Sequence, residues 1–145
     1  MAEERSGREE ALDRLTFMQN VYTQQYEAVM NELTTFSMAQ AALRRNLFVL
    51  DSKDQVSGSN VLVNAEGGTY IQATVKDMKS VMTYIGAGYI IDKSVEEAKE
   101  YLNKSLETSD IQLKRLSEDK MKLENELVRL QYETRGAIDL QKWRV

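Results

Sequence analysis

Apolar residues recur at alternating intervals of three and four over the first third of the chain. Between Leu12 and Leu50, ten of the twelve positions on this stepping are apolar, and the exceptions are Gln19 and Gln40. A repeat of about 3.5 residues sustained over this length is typical of a coiled-coil seam. The pattern therefore predicts a helix from about Arg8 to Leu50.

The two glutamines admit two interpretations. Both fall at a positions of the heptad. A polar residue buried there commonly fixes the register of the paired helices at some cost in stability, or else it is simply tolerated at the edge of the seam.

A second heptad-patterned segment occupies the last third of the chain. From Lys99 to Ala137, eight of the twelve positions on the same stepping are apolar. Ser94 and Glu97 have the spacing of a capping box, which predicts a helix that begins near Val95. We expect this helix, over 94–143, to fold back antiparallel on the first, over 8–50, because neither can bury its own apolar stripe. The chain termini then lie at one end of the pair.

The segment between the helices, 60–92, has the composition of β-strands. It is rich in Val, Ile, Thr and Tyr, which favour a pleated surface, and glycines interrupt it where turns are needed. Two consecutive β-hairpins are predicted, with strands at Asn60–Ala65, Thr69–Val75, Ser80–Ile85 and Tyr89–Asp92. The turn glycines are Gly67, Gly68, Gly86 and Gly88.

Apolar side chains on both faces of these strands predict assembly with other chains. A sheet of about thirty residues is too small to bury two apolar faces alone, and isolated hairpins are marginal in water. Phe48 and Val49, which lie off the helical seam, are predicted to pack under the hairpins. The predicted oligomerisation residues are Val61, Val63, Tyr70, Ile71, Ala73, Val75, Val81, Met82, Tyr84, Ile85, Tyr89, Ile90 and Ile91.

Composition argues against several other functions. The 145 residues include no His, no Cys and no Pro, which removes the commonest general base, the thiol nucleophile and the rigid helix breaker. No catalytic residue, metal or cofactor is therefore expected. The net charge of -4 argues against nucleic acid, and no run approaches the roughly 18 apolar residues of a membrane span.

Two apparent motifs have plainer explanations. The stretch Gly86-Ala87-Gly88 precedes a strand and not a helix, so a hairpin turn is favoured over a phosphate-binding loop. The acids Asp51, Asp54, Glu96 and Glu97 fit no calcium-loop spacing, and solvated acids near helix ends are common.

Two segments of the chain resemble a known family. The stretch VMTYIGAGYIIDKSVEEAKEYL, residues 81–102, closely resembles the signature of alpha-type prefoldin subunits. The preceding stretch VLVNAEGGTYIQATVKD, residues 61–77, resembles the first hairpin of that family. One departure is that the family often has a proline where this chain reads Val61-Leu62-Val63-Asn64.

The resemblance implies an α+β fold and an assembly. The fold is a long antiparallel α-helical coiled-coil hairpin with two β-hairpins inserted at the connecting end, and these contribute to an oligomeric β-barrel. Two alpha-type and four beta-type subunits form a hexamer in this family. The implied function is that of a cytoplasmic, ATP-independent holdase, which binds unfolded polypeptides and delivers them to a group II chaperonin.

Client binding is expected at the end of the helical pair where the termini lie. Apolar side chains off the seam, or at its last turns, are candidates because exposed apolar clusters commonly mark binding sites. A structural scaffold that only oligomerises through its hairpins is the competing interpretation, and single exposed apolar residues are common on any surface. The candidates are Leu12, Leu15, Phe17, Met18, Val21, Ile138, Leu140 and Trp143.

Overall fold

The computed structural model describes residues 2–142, with side chains described for 2–139. Over this range the chain forms long helices and two β-hairpins, so the fold class is α+β, as predicted. The elements in chain order are α1 (Ala2–Asp51), α2 (Lys53–Val56), β1 (Asn60–Asn64), β2 (Tyr70–Thr74), β3 (Ser80–Gly86), β4 (Tyr89–Ser94) and α3 (Val95–Lys142).

The first helix begins earlier than the apolar repeat does. α1 begins at Ala2, whereas the repeat predicted a start near Arg8. Glu3 and Glu4 lie in its first turn, where carboxylates interact favourably with the helix dipole. Those residues carry no apolar stripe, so periodicity gives no signal for this part of the helix.

The start of α3 has the predicted cap. The backbone N–H of Glu97 donates to the Ser94 side-chain oxygen at 3.2 Å. This bond satisfies one of the four N–H groups that a helix start leaves without an intrahelical partner. Ser94 is also the last residue of β4, so no loop separates this strand from α3.

The chain divides into two compact units. The terminal unit contains the residues up to Ser37 and those from Ile111 onward, and the hairpin unit is Met38–Asp110. Within the terminal unit, α1 packs antiparallel on α3, and the Tyr26 hydroxyl donates to Glu124 Oε1 at 3.2 Å. Within the hairpin unit, Lys99 Nζ lies 3.4 Å from Asp51 Oδ1.

The burial of side chains follows the predicted seam. All twelve seam positions of α1 and all twelve of α3 are half-buried or buried, including the polar ones. Leu130 in the terminal unit and Leu102 in the hairpin unit are almost completely buried. The coiled-coil pattern read from the sequence is thus the pattern of burial in each unit.

The hairpin unit has an apolar core of its own. Residues from α1, α3 and the connection between the hairpins form it: Leu50, Met78, Val95, Ala98 and Leu102. The backbone N–H of Met78 donates to Ser57 Oγ at 3.0 Å, which holds that connection against the end of α1 and α2. Met78 lies in the polar connection between the two predicted hairpins, yet it is a core residue.

The expectation for Phe48 and Val49 was wrong. Phe48 is 72% exposed and Val49 is 43% exposed, so neither packs under the hairpins. Successive helical residues are about 100° apart, and Leu47 and Leu50 already occupy the inward face. The two residues therefore lie on the face of α1 turned away from the core.

Each hairpin is a separate two-stranded antiparallel sheet among the described residues. β1 pairs with β2, with Val63 opposite Ile71, and β3 pairs with β4, with Met82 opposite Asp92. Every strand end lies within two residues of its predicted position. An irregularity between Tyr84 and Gly86 shifts the register just before the second turn.

The turns need backbone angles that favour glycine. In the second turn Ala87 and Gly88 have φ of +52° and +82°, the left-handed pair that a tight hairpin turn requires. In the first turn Gly67 and Gly68 have φ of +64° and +83°. The predicted role of these glycines in the turns is thus consistent with their backbone geometry.

Candidate functional site

Two of the four acids considered as a possible metal cluster, Asp51 and Glu96, lie beside a lysine. Lys99 Nζ lies within 4.0 Å of both Asp51 and Glu96. Among the residues that the structure describes, no group of three or more His, Asp or Glu side chains could hold a metal ion. The same part of the chain has no helix long and apolar enough to cross a membrane.

The first hairpin presents one apolar face. Because side chains alternate along a strand, Val61 and Val63 share a face with Ala73 and Ile71 opposite them. Val63 and Ile71, nearer the turn, are exposed, while Val61 and Ala73 are half-buried. The other face is polar apart from Leu62 and Tyr70, and there Thr74 Oγ1 donates to Asn60 Oδ1 across the strands at 2.9 Å.

The second hairpin exposes more apolar area. Met82, Tyr84 and Ile90 lie on one face, and Met82 is 74% exposed. Ile85 and Tyr89 near the turn, together with Ile91, are also exposed. An exposed apolar surface on a two-stranded sheet is typical of a site that contacts another protein chain.

Two of the predicted oligomerisation residues have a role inside the chain. Val75 and Val81 pack against the core of the hairpin unit, where β2 ends and β3 begins close to the helices. The remaining eleven lie on the strands, half-buried or exposed.

The candidate client-binding residues of α1 divide into two groups. Leu12 and Leu15 are half-buried in the seam. Phe17, Met18 and Val21 form a continuous patch beside it, because residues three and four apart are neighbours on a helix. Phe17 is 68% exposed, and the other two are half-buried.

The terminal unit also has a groove that the sequence analysis did not identify. It measures about 460 Å³ and is lined by Gln19 of α1 and by Val128, Tyr132, Arg135 and Ile138 of α3 among others. Tyr132 is 72% exposed, and Val128 and Ile138 are also exposed. Ile138 is a predicted candidate, whereas Val128 and Tyr132 were missed.

A sequence signal for the two missed residues does exist. Val128 and Tyr132 are four residues apart, both lie off the heptad seam, and each is followed by a charged residue, Arg129 or Glu133. On α3, however, off-seam apolar candidates were predicted only near the end of the helix. Of the remaining candidates, the Leu140 side chain and Trp143 lie outside the described residues.

A charged cluster lies beside the groove on α3. Arg129 donates to Glu126 Oε2 at 2.7 Å and to Glu133 Oε1 at 2.9 Å. The hydrogen bond and charge of Glu126, followed by the charge of Glu133, raise the pKa of the Arg129 guanidinium above its ordinary value. These ion pairs are exposed, so we expect them to stabilise the helix slightly and to have no part in binding.

Paired heptad helices that carry hairpins with uncovered apolar faces define an assembly-forming coiled-coil subunit. A family model described as Prefoldin subunit matches residues 22–138, which is most of the chain. The chain therefore belongs to the prefoldin family, a family of chaperones and not of enzymes. It is a subunit of a chaperone that assembles as a hetero-oligomer.

Individual relatives agree with this assignment. The chain is 32% identical over 109 residues to prefoldin subunit alpha of Methanocorpusculum labreanum, covering 74% of each protein. It is 27% identical over 117 residues to prefoldin subunit alpha of Thermofilum pendens, covering 80% of this chain and 88% of the relative. Its sequence is thus similar to those of archaeal alpha subunits, as the signature at residues 81–102 indicated.

Solved structures confirm the fold. The prefoldin beta subunit from Thermococcus strain KS-1 superposes with a TM-score of 0.64 at 16% identity, over 88% of this chain and 91% of that one. A chain of filamentous prefoldin from Methanocaldococcus jannaschii gives a TM-score of 0.55 at 23% identity, over 83% and 95%. Identities this low support the shared fold alone.

Proposed function

We propose that the chain is the alpha-type subunit of an ATP-independent holdase that binds unfolded polypeptides through its terminal unit. The observation that carries this proposal is the exposure of the aromatic side chains of Phe17 and Tyr132 on a coiled coil whose outer surface is otherwise mostly polar. Apolar and aromatic side chains of this kind contact many different sequences, because they need no specific hydrogen-bonding partner. Unfolded chains expose just such apolar segments.

The groove has a composition suited to an extended peptide. Val128, Tyr132 and Ile138 supply apolar contact, and the amides of Gln19 and Gln131 can each donate to and accept from a peptide backbone. Peptide backbones are identical in all clients, so this mode of recognition does not depend on sequence. We infer that the α1 patch, Phe17, Met18 and Val21, provides a second contact region within the same unit.

Assembly would depend on the hairpins. Beta-type prefoldin subunits are the expected partners, two alpha-type chains with four of them, because the chain resembles alpha subunits and exposes apolar faces on both hairpins. Pairing these strands with those of partners would also cover edges that otherwise promote aggregation. After it has bound a client, the assembled complex delivers this client to a group II chaperonin in the cytoplasm.

The test is an aggregation assay on the assembled complex with a chemically denatured client protein. Replacing Val128 and Tyr132 by Ser should weaken the suppression of aggregation, and so should replacing Phe17, Met18, Leu140 and Trp143 together by Ser. The mass of the assembly, measured by native mass spectrometry, should stay unchanged.

A matched control is available on the same helix. Ile111 is also exposed, but it lies seventeen residues before Val128, about 25 Å along α3. A complex that contains the Ile111→Ser variant should suppress aggregation as well as a complex of the unmodified chain does. If the double and the quadruple serine variants both suppress aggregation fully, the result would instead support the scaffold interpretation, in which the chain only oligomerises.

A further inference from the structure

The hairpin unit has a second apolar surface that its own fold does not use. Met38, Ala42, Arg45 and Val49 follow one another at intervals of four, three and four along α1, with Phe48 beside them. We call these five residues the outer face of α1. Met38 is 69% exposed, and Phe48 and Val49 are exposed as well.

This face lies opposite the seam. Leu43, Leu47 and Leu50 are the residues of this stretch that pack into the core of the hairpin unit. At about 100° per residue, Arg45 and Val49 lie well over 100° from Leu43 and Leu47 around the helix axis. Substitutions on the outer face should therefore leave the fold of the chain intact.

The charge on this face is positive. Arg45 is exposed and has no ion-pair partner among the described residues, and its neighbour Arg44 makes only a long contact of 3.9 Å to Asp110. If two copies of the chain packed through this face about a two-fold axis, the arginines near its centre would oppose each other. Like charges brought together in a contact are unfavourable, so a symmetric pairing of two outer faces does not fit here.

The other exposed helix surface of the unit does not fit either. On α3 the outward residues include Glu96, Glu100 and Glu107, with Asn103 between them. Their carboxylates would complement Arg45, but the surface offers no apolar side chain to cover Met38 and Phe48. The occupant needs an apolar stripe and flanking carboxylates together, and this chain does not carry that combination on the exposed helix surface of the unit.

We propose that the outer face of α1 contacts an amphipathic helix of a different type of subunit, one with carboxylates beside its apolar stripe. The contact would add to the hairpin interface, since both belong to the same compact unit. It would also favour mixed over single-component assembly, because positive charge disfavours pairing with a second copy. This inference rests on the proposed assembly with beta-type subunits.

The test measures association of the full chain with an archaeal beta-type prefoldin subunit by native mass spectrometry and titration. Phe48→Ser and Arg45→Glu should each weaken association by roughly tenfold, because buried aromatic and arginine residues commonly dominate interface energies. The loss for Arg45→Glu should shrink as salt is raised, because salt screens exposed charges. Circular dichroism should show unchanged helix content for both variants.

A control separates this face from general surface effects. Met121→Ser removes another exposed apolar residue, on α3 of the terminal unit, and should leave association unchanged. If the unmodified chain joins the beta-type subunit and both outer-face variants join it equally well, this inference is overturned while the proposed function stands. If the unmodified chain does not join it at all, both are overturned.

Discussion

Gln40 and Ser109 meet across the seam of the hairpin unit, where Gln40 Nε2 donates to Ser109 Oγ at 3.2 Å. Each is a polar residue on a stripe that is otherwise mostly leucine, and the Gln40 amide also donates to Asp110 Oδ1. A hydrogen-bonded polar layer is satisfied in one alignment of the helices and broken in others. This geometry favours a register-fixing role for Gln40 over a merely tolerated one.

Replacing both members of this layer by leucine should raise stability. We expect Gln40→Leu with Ser109→Leu to increase the free energy of unfolding by about 2 kcal/mol, because two half-buried polar residues become apolar ones. The single variant Gln40→Leu should gain less, because it leaves Ser109 without this partner. Urea unfolding of the purified chain measures both, and a double variant that is less stable than the original would contradict the expectation.

Two methionines in the hairpin unit should respond oppositely to the same substitution. Met78 is almost fully buried in the core, so Met78→Ala should lower the free energy of unfolding by about 2–3 kcal/mol. Met82 is exposed on β3, so Met82→Ala should change the stability of the isolated chain little but should weaken assembly. Thermal unfolding and native mass spectrometry distinguish the two, and equal effects on unfolding would refute the assigned positions.

Two glycines with open space around them provide a matched pair. An added Cβ would meet no atom within 4 Å at Gly88 or at Gly136. Gly88 has φ of +82°, so Gly88→Ala should destabilise the second hairpin by about 1 kcal/mol. Gly136 lies within α3, where Gly136→Ala should stabilise the helix by a similar amount, about 1 kcal/mol.

The measurement for this pair is the unfolding midpoint of each variant. The two changes in stability are expected to have opposite signs, because the space around the added Cβ is open at both positions and only the backbone angles differ. A gain in stability at Gly88 would contradict the left-handed turn described for Ala87 and Gly88.

The parts of the fold that the sequence predicted are those set by local or periodic signals. The heptad stepping located every seam position of α1 and α3, because burial of an apolar stripe requires that spacing. The Ser94–Glu97 spacing located the start of α3, because a hydroxyl at this position bonds an N–H that otherwise lacks a partner. The turn glycines located the hairpins through the backbone angles they permit.

The parts that it did not predict depend on contacts between distant segments. Met78 lies in a polar stretch, and only the approach of this connection to Leu50 and Val95 buries it. Phe48 was expected to pack under the hairpins because it lies off the seam near the hairpin end of α1, but the helical phase turns it outward. The groove at Val128 and Tyr132 combines residues of both helices, so α3 alone shows only part of it.

The most direct test of client binding places a photoreactive amino acid at single positions of the chain within the assembled complex. With a denatured client bound, crosslinks should form from positions 17 and 132 and should be few from position 111 on the same coiled coil. Crosslinks that arise mainly from position 111 or from the hairpin strands, with none from 17 and 132, would contradict a client site in the terminal unit.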